Sequence, residues 1–163
     1  MRQIKLESLT KEAFAPFGEF YGMATPDGYA LCGEIHKFYP DRMTTSCHTR
    51  LAFSPIVVKK PASMLITQQE YHTTAEELVL PLDDDMIIHV APVSAGAVVT
   101  DLARAFLVPK NTLVKIKAAI WHLAPLPANN EQLTALIVLP ECTYANDCTV
   151  VDLSESEQFE IIK

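Results

Sequence analysis

Long apolar runs are missing from this chain of 163 residues; none approaches the roughly 20 residues that a membrane-crossing helix needs. No basic stretch followed by an apolar core stands at its start, so no secretory leader is expected and a cytoplasmic location is. Cysteine is scarce and poorly spaced for structural work. Cys32, Cys47, Cys142 and Cys148 contain no Cys-x-x-Cys pair, which excludes a zinc finger and argues against a disulfide framework, so reduced thiols are expected. Basic residues are in deficit, 13 against 20 acidic ones for a net charge of −7, which disfavours nucleic acid or an anionic membrane as partner. Internal repeats, low-complexity tracts and a composition break that would mark a linker are also missing, so residues 1–163 read as a single domain.

What is present is a hydrophobic content of 49%, enough for a core without disulfide staples. Ile4 and Leu6 alternate with Lys5 and Glu7 as a short opening strand. Thr10 then caps a brief helix through Lys11, Glu12, Ala13 and Phe14, which Pro16 and Gly18 end. Phe14 and Phe17 are expected to anchor this arm, either on the core or at a subunit contact. Residues 23–50 are irregular and suit the lid or wall of a site. From residue 51 the pattern is strand throughout: 51–59, 64–72, 77–82, 86–91, 103–108, 112–122 and 133–139, separated by turns such as Lys60-Pro61 and Asp83-Asp84-Asp85. Short strands at regular spacing predict an all-β sandwich, jelly roll or barrel with a short N-terminal helix. The Asp83-Asp84-Asp85 run lacks the spaced oxygens of a calcium loop and is expected to be a solvated turn.

Side chains along a strand alternate between faces, so Glu70 and His72 point together and Tyr71 points away. Glu77, or its neighbour Glu76, offers a second carboxylate. Within 112–122, Val114, Ile116, Ala118, Ile120 and His122 share one apolar face, which aims His122 inward; Trp121 faces away and is expected to pack, with a subunit contact one option. Two carboxylates and two imidazoles suit a divalent ion of the zinc, manganese, iron or nickel kind. They equally suit a metal-free acid/base pocket built on His72 and His122, with Glu70 orienting them. His89 shares a face with Ile87 and Ala91 and is a candidate for substrate contact or for a hydrogen-bonded core position. Arg104 is a candidate clamp for a substrate carboxylate, or half of a surface ion pair.

The spacing Glu70-x-His72 with Glu77, followed by His122, resembles the metal motif of the cupins, with Glu70 in place of a first histidine. A narrower resemblance covers most of the chain. Leu9-Thr10-Lys11-Glu12-Ala13-Phe14-Ala15-Pro16-Phe17-Gly18-Glu19, Glu70-x-His72 with Pro81, Arg104-Ala105-Phe106, Trp121-His122 with Pro125, and Asn146-Asp147-Cys148 are similar, in order, to the ureidoglycolate lyase family. The resemblance implies a cupin-type double-stranded β-helix, a jelly-roll barrel. It also implies a lyase releasing glyoxylate and urea from ureidoglycolate, a place in allantoin and purine breakdown, a small carboxylate substrate and a homodimer. The chain departs from that pattern at Glu77, where relatives carry Gln, at Leu123, where a second His follows Trp-His, and at Lys117 and Ala119, where cupins carry Pro and Gly. Two alternatives stay open at this point: a small-molecule-binding cupin without catalysis, and a metal-dependent cupin isomerase or lyase acting on a sugar acid.

Overall fold

In the computed structural model, which describes residues 2–163, the elements run β1 (Arg2–Ser8), α1 (Lys11–Phe14), β2 (Gly18–Gly22), β3 (Leu31–Cys32), β4 (Lys37–Phe38), β5 (Leu51–Lys59), β6 (Leu65–Ile66), β7 (Gln68–Tyr71) and β8 (Glu77–Pro81). They continue with β9 (Met86–Val90), β10 (Arg104–Val108), β11 (Thr112–Ile116), β12 (Leu126–Pro127), β13 (Gln132–Pro140), α2 (Thr143–Asn146), β14 (Thr149–Asp152) and β15 (Phe159–Ile162). One sheet has six strands in the order β12-β9-β10-β1-β15-β6, and a second has five in the order β2-β11-β8-β13-β5. The β7 strand pairs with β14. The strand pattern predicts an all-β sandwich, jelly roll or barrel, and the structure is the cupin-type jelly roll that the family resemblance implies.

Alternation explains how two cores arise from one six-stranded sheet. Ile88 and Val90 of β9 and Phe106 and Val108 of β10 face the first cluster, together with Val79, Val114, Ile116, Leu133, Ala135, Ile137 and Leu139 of the five-stranded sheet. Ile87 and Ala105 face the opposite way, into a second cluster with Trp121, Phe159 and Ile161. Main-chain pairing closes around this second cluster. The bridges Glu70–His122 and Ala91–Trp121 lay residues 121 and 122 between the β7 and β9 chains, completing a circuit through β10, β1, β15 and β6. Phe14 and Phe17 pack on Phe106 with centroids at 5.4 and 6.1 Å, so the N-terminal arm is spent inside the subunit. Thr10 Oγ1 caps α1 by accepting from the Ala13 amide. Gly18 is required where β2 meets β11, since a Cβ there would lie 1.9 Å from the Lys115 carbonyl oxygen.

Three expectations need correction. The strand expected over 112–122 ends at Ile116, because Ala119 takes a left-handed φ of 65° and its amide bonds the His72 carbonyl instead of a ladder partner. Residues 64–72 divide at Thr67, whose carbonyl accepts from Leu153, so β6 follows β15 while β7 follows β14. The Asp83-Asp84-Asp85 turn is not simply solvated. Asp84 is buried and accepts from the Asn129 and Asn130 amides, Asp83 accepts from Thr134, and Asp85 from Lys110. These carboxylates close loop ends by taking backbone donors that would otherwise lack partners. Trp121, expected to pack, is fully buried in the second cluster.

Candidate active site

Four side chains from three places meet below the surface. Glu70 comes from β7, His72 from just beyond it, Glu77 from the start of β8, and His122 from the bridge that pairs with Glu70. Each offers a donor atom, all of them lie within 4.8 Å of one another, and all four residues are buried. The choice between the adjacent glutamates is settled by parity. Glu77 shares the face of Val79 and points inward, whereas Glu76 points out to Thr45 Oγ1 and the Lys115 ammonium.

Glu77 is the hub. Its Oε2 lies 3.1 Å from Nε2 of His72 and 3.1 Å from Nε2 of His122. The other ring nitrogens are fixed by main chain: His72 Nδ1 donates to the Asp147 carbonyl at 2.7 Å, and His122 Nδ1 to that of Ile120 at 2.8 Å. A carbonyl oxygen only accepts, so both Nδ1 atoms carry hydrogen. Each Nε2 then meets the shared carboxylate either with a proton, making an imidazolium, or with a lone pair that the oxygen repels. The cluster therefore calls for positive charge between its donors. The titration behaviour follows. Burial opposes the Glu77 charge, but His122, by attraction and hydrogen bond, and then His72 hold it down to about 2. His122 is raised: burial disfavours its charge, and the Glu77 carboxylate, the Ile120 carbonyl and Glu70 outweigh burial.

A metal ion answers the same need. Two imidazole Nε2 atoms, their Nδ1–H groups anchored to carbonyls, and two carboxylates form a donor set suited to zinc or a neighbouring transition metal. The residues thus fit the ion that the resemblance to the cupin metal motif implies.

The segment 142–148 covers the cluster. Cys142 turns the chain with a left-handed φ of 63°, and α2 then sets the Tyr144 ring edge-on to His72 at 5.9 Å. Asp147 anchors the segment: its carboxylate accepts from the amides of Thr73, Thr74 and Ala75 and from Thr74 Oγ1. Cys148 Sγ donates to Glu70 Oε2 at 3.4 Å, and burial, then Glu70, push the thiol up to about 11. Of the irregular residues 23–50, Thr44 and Thr45 reach Lys115 and Glu76, while residues 46–49 share a pocket with Thr143, Asn146 and Asp147 of this cover. Tyr144, Asp147 and Cys148 were not read from sequence as site residues, although Asn146-Asp147-Cys148 was the available signal.

Two candidates are not brought to the cluster. Arg104 pairs with the Glu7 carboxylate, donating through Nε at 2.8 Å and through Nη2, and also bonds the Ala13 carbonyl while lying over the Phe106 ring. Its guanidinium is occupied by the N-terminal arm, which is a correction to the carboxylate-clamp expectation. His89 points into the second cluster against Phe159, with Nδ1 2.7 Å from Gln69 Nε2. Burial first, and nearby His122, lower it to about 3, so it is neutral.

Residues 57–160 match the family described as "Domain of unknown function (DUF4867)". The chain is similar to a ureidoglycolate lyase of Pseudomonas aeruginosa, 28% identical over 163 residues, covering 97% of this chain and 95% of that protein. It is also similar to the ureidoglycolate lyase of Rhodobacter capsulatus, 30% identical over 136 residues, covering 78% of this chain and 82% of that protein. The chain belongs to the ureidoglycolate lyase family and carries a DUF4867 domain. Among solved structures, a dTDP sugar isomerase of Desulfovibrio desulfuricans is 9% identical with a TM-score of 0.51, covering 86% of this chain and 85% of that one, a likeness of fold alone. Within the ureidoglycolate lyase family this member is a lyase-like enzyme with a buried quartet able to hold a metal. No helix among the described residues is long and apolar enough to cross a membrane.

Proposed function

We propose that this chain is a lyase that cleaves a small ureido acid, with ureidoglycolate going to glyoxylate and urea, at the centre formed by Glu70, His72, Glu77 and His122. The observation that carries the reading is the shared carboxylate: one Glu77 oxygen between two main-chain-anchored imidazoles, in a protein whose relatives are ureidoglycolate lyases. The reaction removes the proton of the carbinol hydroxyl, breaks the C–N bond as the C=O forms, and returns a proton to the departing urea nitrogen. A divalent ion held by the four side chains would supply Lewis acidity toward the substrate oxygen. The chain's own part is proton handling. Where no ion occupies the cluster, His122, raised by Glu77, holds a proton at Nε2 suited to the leaving nitrogen, while His72, kept in place by the Asp147 carbonyl, is its partner as base. Glu70 bounds the opposite side of the cluster and is held by its main-chain pairing with His122 and by Cys148.

Purified protein given ureidoglycolate should release glyoxylate, and elemental analysis should report which ion, if any, accompanies it. Glyoxylate at background with zinc, manganese, iron and nickel each supplied would remove the assignment. A second reading, a cupin that holds a small molecule without turnover, is favoured by the depth of the cluster, no member of which is more than 8% exposed. It predicts ligand-dependent thermal stabilisation with no product. Family resemblance supports a homodimer in the cytoplasm, for which sedimentation of the purified protein is the direct measurement.

A further inference from the structure

Toward its β5 edge, where Ser54 is exposed, the inward face of the five-stranded sheet is not filled. A cavity of about 490 Å³ lies between β5, β13 and α2. Strand register fixes its relation to the quartet. Val138 stands opposite Leu78, so the next residue along β13, Leu139, lies beside Glu77, and Leu139 is in turn paired with Ala52 of β5. Opposed residues share a face, which makes Glu77, Leu139 and Ala52 one inward row across three strands. The following row, Val79, Ile137 and Ser54, repeats the arrangement. Leu139, Ala52, Ile137 and Ser54 line the cavity, so the strand that begins its floor runs one strand spacing, about 5 Å, from the backbone of Glu77. Tyr144 stands on the boundary, lining the cavity on one side and meeting His72 edge-on at 5.9 Å on the other.

The chemistry of the lining is one-sided. Alanine, isoleucine, leucine and proline make most of it, the hydroxyls of Ser54, Thr143 and Tyr144 and the thiol of Cys142 supply the polar groups, and no lysine, arginine or histidine lines it. A carboxylate lodged there would lose its hydration without gaining a counter-charge. An uncharged hydrocarbon group would gain contacts. The volume falls within the range of about 300–1,000 Å³ usual for small-molecule sites, more than an acid as small as ureidoglycolate fills.

We propose that this cavity is the substrate room of the buried centre, and that the centre admits, beyond ureidoglycolate itself, a ureido or hydroxy acid bearing an uncharged, largely apolar substituent, which lodges against Leu139 and Ala52 beside Tyr144. This rests on the reading of the quartet as the reacting centre. The acid and hydroxyl groups face the quartet; the substituent faces the sheet. Ala52 and Ser54 are then specificity-determining positions, because a larger side chain at either fills the room from its floor.

Calorimetric binding of a series of probes to the protein as purified tests this: glycolate, 2-hydroxybutyrate and 2-hydroxyhexanoate. Affinity should rise about fourfold for each added methylene. In Ala52→Trp the ratio of affinities for 2-hydroxyhexanoate and glycolate should collapse toward one. Ser54→Phe, at an exposed position that does not threaten folding, should do the same. A flat series in the parent protein, an undiminished ratio in both variants, or no binding of any member overturns the proposal. The two readings part company in the assays. A rising series without ureidoglycolate turnover supports the cavity and refutes the ureidoglycolate assignment, while turnover with a flat series does the reverse.

Discussion

Replacing Asp147 by alanine removes the carboxylate that pins the covering segment to the turn between β7 and β8. Four bonds end on it: from Thr73 N at 2.7 Å, Thr74 N at 2.9 Å, Thr74 Oγ1 at 2.7 Å and Ala75 N at 3.2 Å. Hydrogen bonds to a charged group contribute about 1.5–3 kcal/mol each when lost singly. They do not add here, because the donors of Thr73 and Thr74 are exposed and recover water, while the half-buried Ala75 amide keeps most of its penalty. The expected loss is about 2–3 kcal/mol. For a domain of this size that lowers Tm by roughly 4–12 °C. Urea denaturation with the metal stripped is the assay, so that ion binding does not mask the change. The pH dependence supplies a second signature. Burial opposes the Asp147 charge, but the Thr74 and Thr73 donors outweigh it and hold the carboxyl below its ordinary value. A depressed carboxyl contributes stability that is present above its unfolded value of about 3.9 and is lost as pH falls through the folded value. The gap between parent and Asp147→Ala should therefore be full at pH 6 and shrink below about pH 4. A gap under about 0.5 kcal/mol, or one that persists unchanged into acid, would refute the tether.

Metal loading should release protons at pH 7, seen as a dependence of calorimetric enthalpy on buffer ionisation, since an ion replaces the proton shared around Glu77; Glu77→Gln should weaken metal binding at least tenfold and reduce that release. In the second cluster, Gln69 Oε1 and His89 Nε2 are buried without partners. Gln69→Leu alone should cost about 1–3 kcal/mol by leaving His89 Nδ1 unpaired, whereas Gln69→Leu with His89→Leu should recover most of it in a double-mutant cycle. His89 is lowered to about 3 from 6.5, so the unfolded chain binds its proton first and stability falls as pH drops below about 6.5; His89→Leu should flatten that limb. Arg104→Gln should lower stability by no more than about 1 kcal/mol, because the ion pair is a third exposed, and should leave kcat/KM within a factor of about three; a larger drop in kcat/KM would restore Arg104 as a substrate contact.

Alternation made the inward-pointing residues legible and little else. Glu70 and His72 share a direction with Tyr71 opposed, and the structure places Tyr71 against Trp121 at 4.4 Å while the other two join the quartet. His122 was found by extending a strand that in fact ends at Ile116. The parity survived a turn at Ala119 only because the Ala91–Trp121 and Glu70–His122 bridges restore a strand-like direction for two residues. Contacts between distant segments leave no such trace. Asp147 meets Thr73 across 74 positions and Arg104 meets Glu7 across 97, and no local period links either pair. Arg104 is ambiguous for that reason: a guanidinium on an apolar face suits a ligand clamp or an ion pair equally until its partner, here Glu7, is known.

The same limit explains why the sequence could name four donors yet not the charge that must lie between them. A cluster of two carboxylates and two imidazoles can be neutral, anionic or cationic, according to which ring nitrogens hold hydrogen. That assignment comes from two main-chain carbonyls, of Asp147 and Ile120, which no motif includes. Once both Nδ1 atoms are donors, two Nε2 lone pairs and the Glu77 oxygen converge with nothing positive among them unless protons or an ion intervene. The covering segment thus does more than exclude water. By presenting the Asp147 carbonyl to His72 it sets the tautomer of a ring five residues from Glu77, and by presenting Tyr144 it divides the charged centre from an uncharged room. Loosening that segment should therefore alter proton handling and substrate choice together, which a mutation in either core would not do.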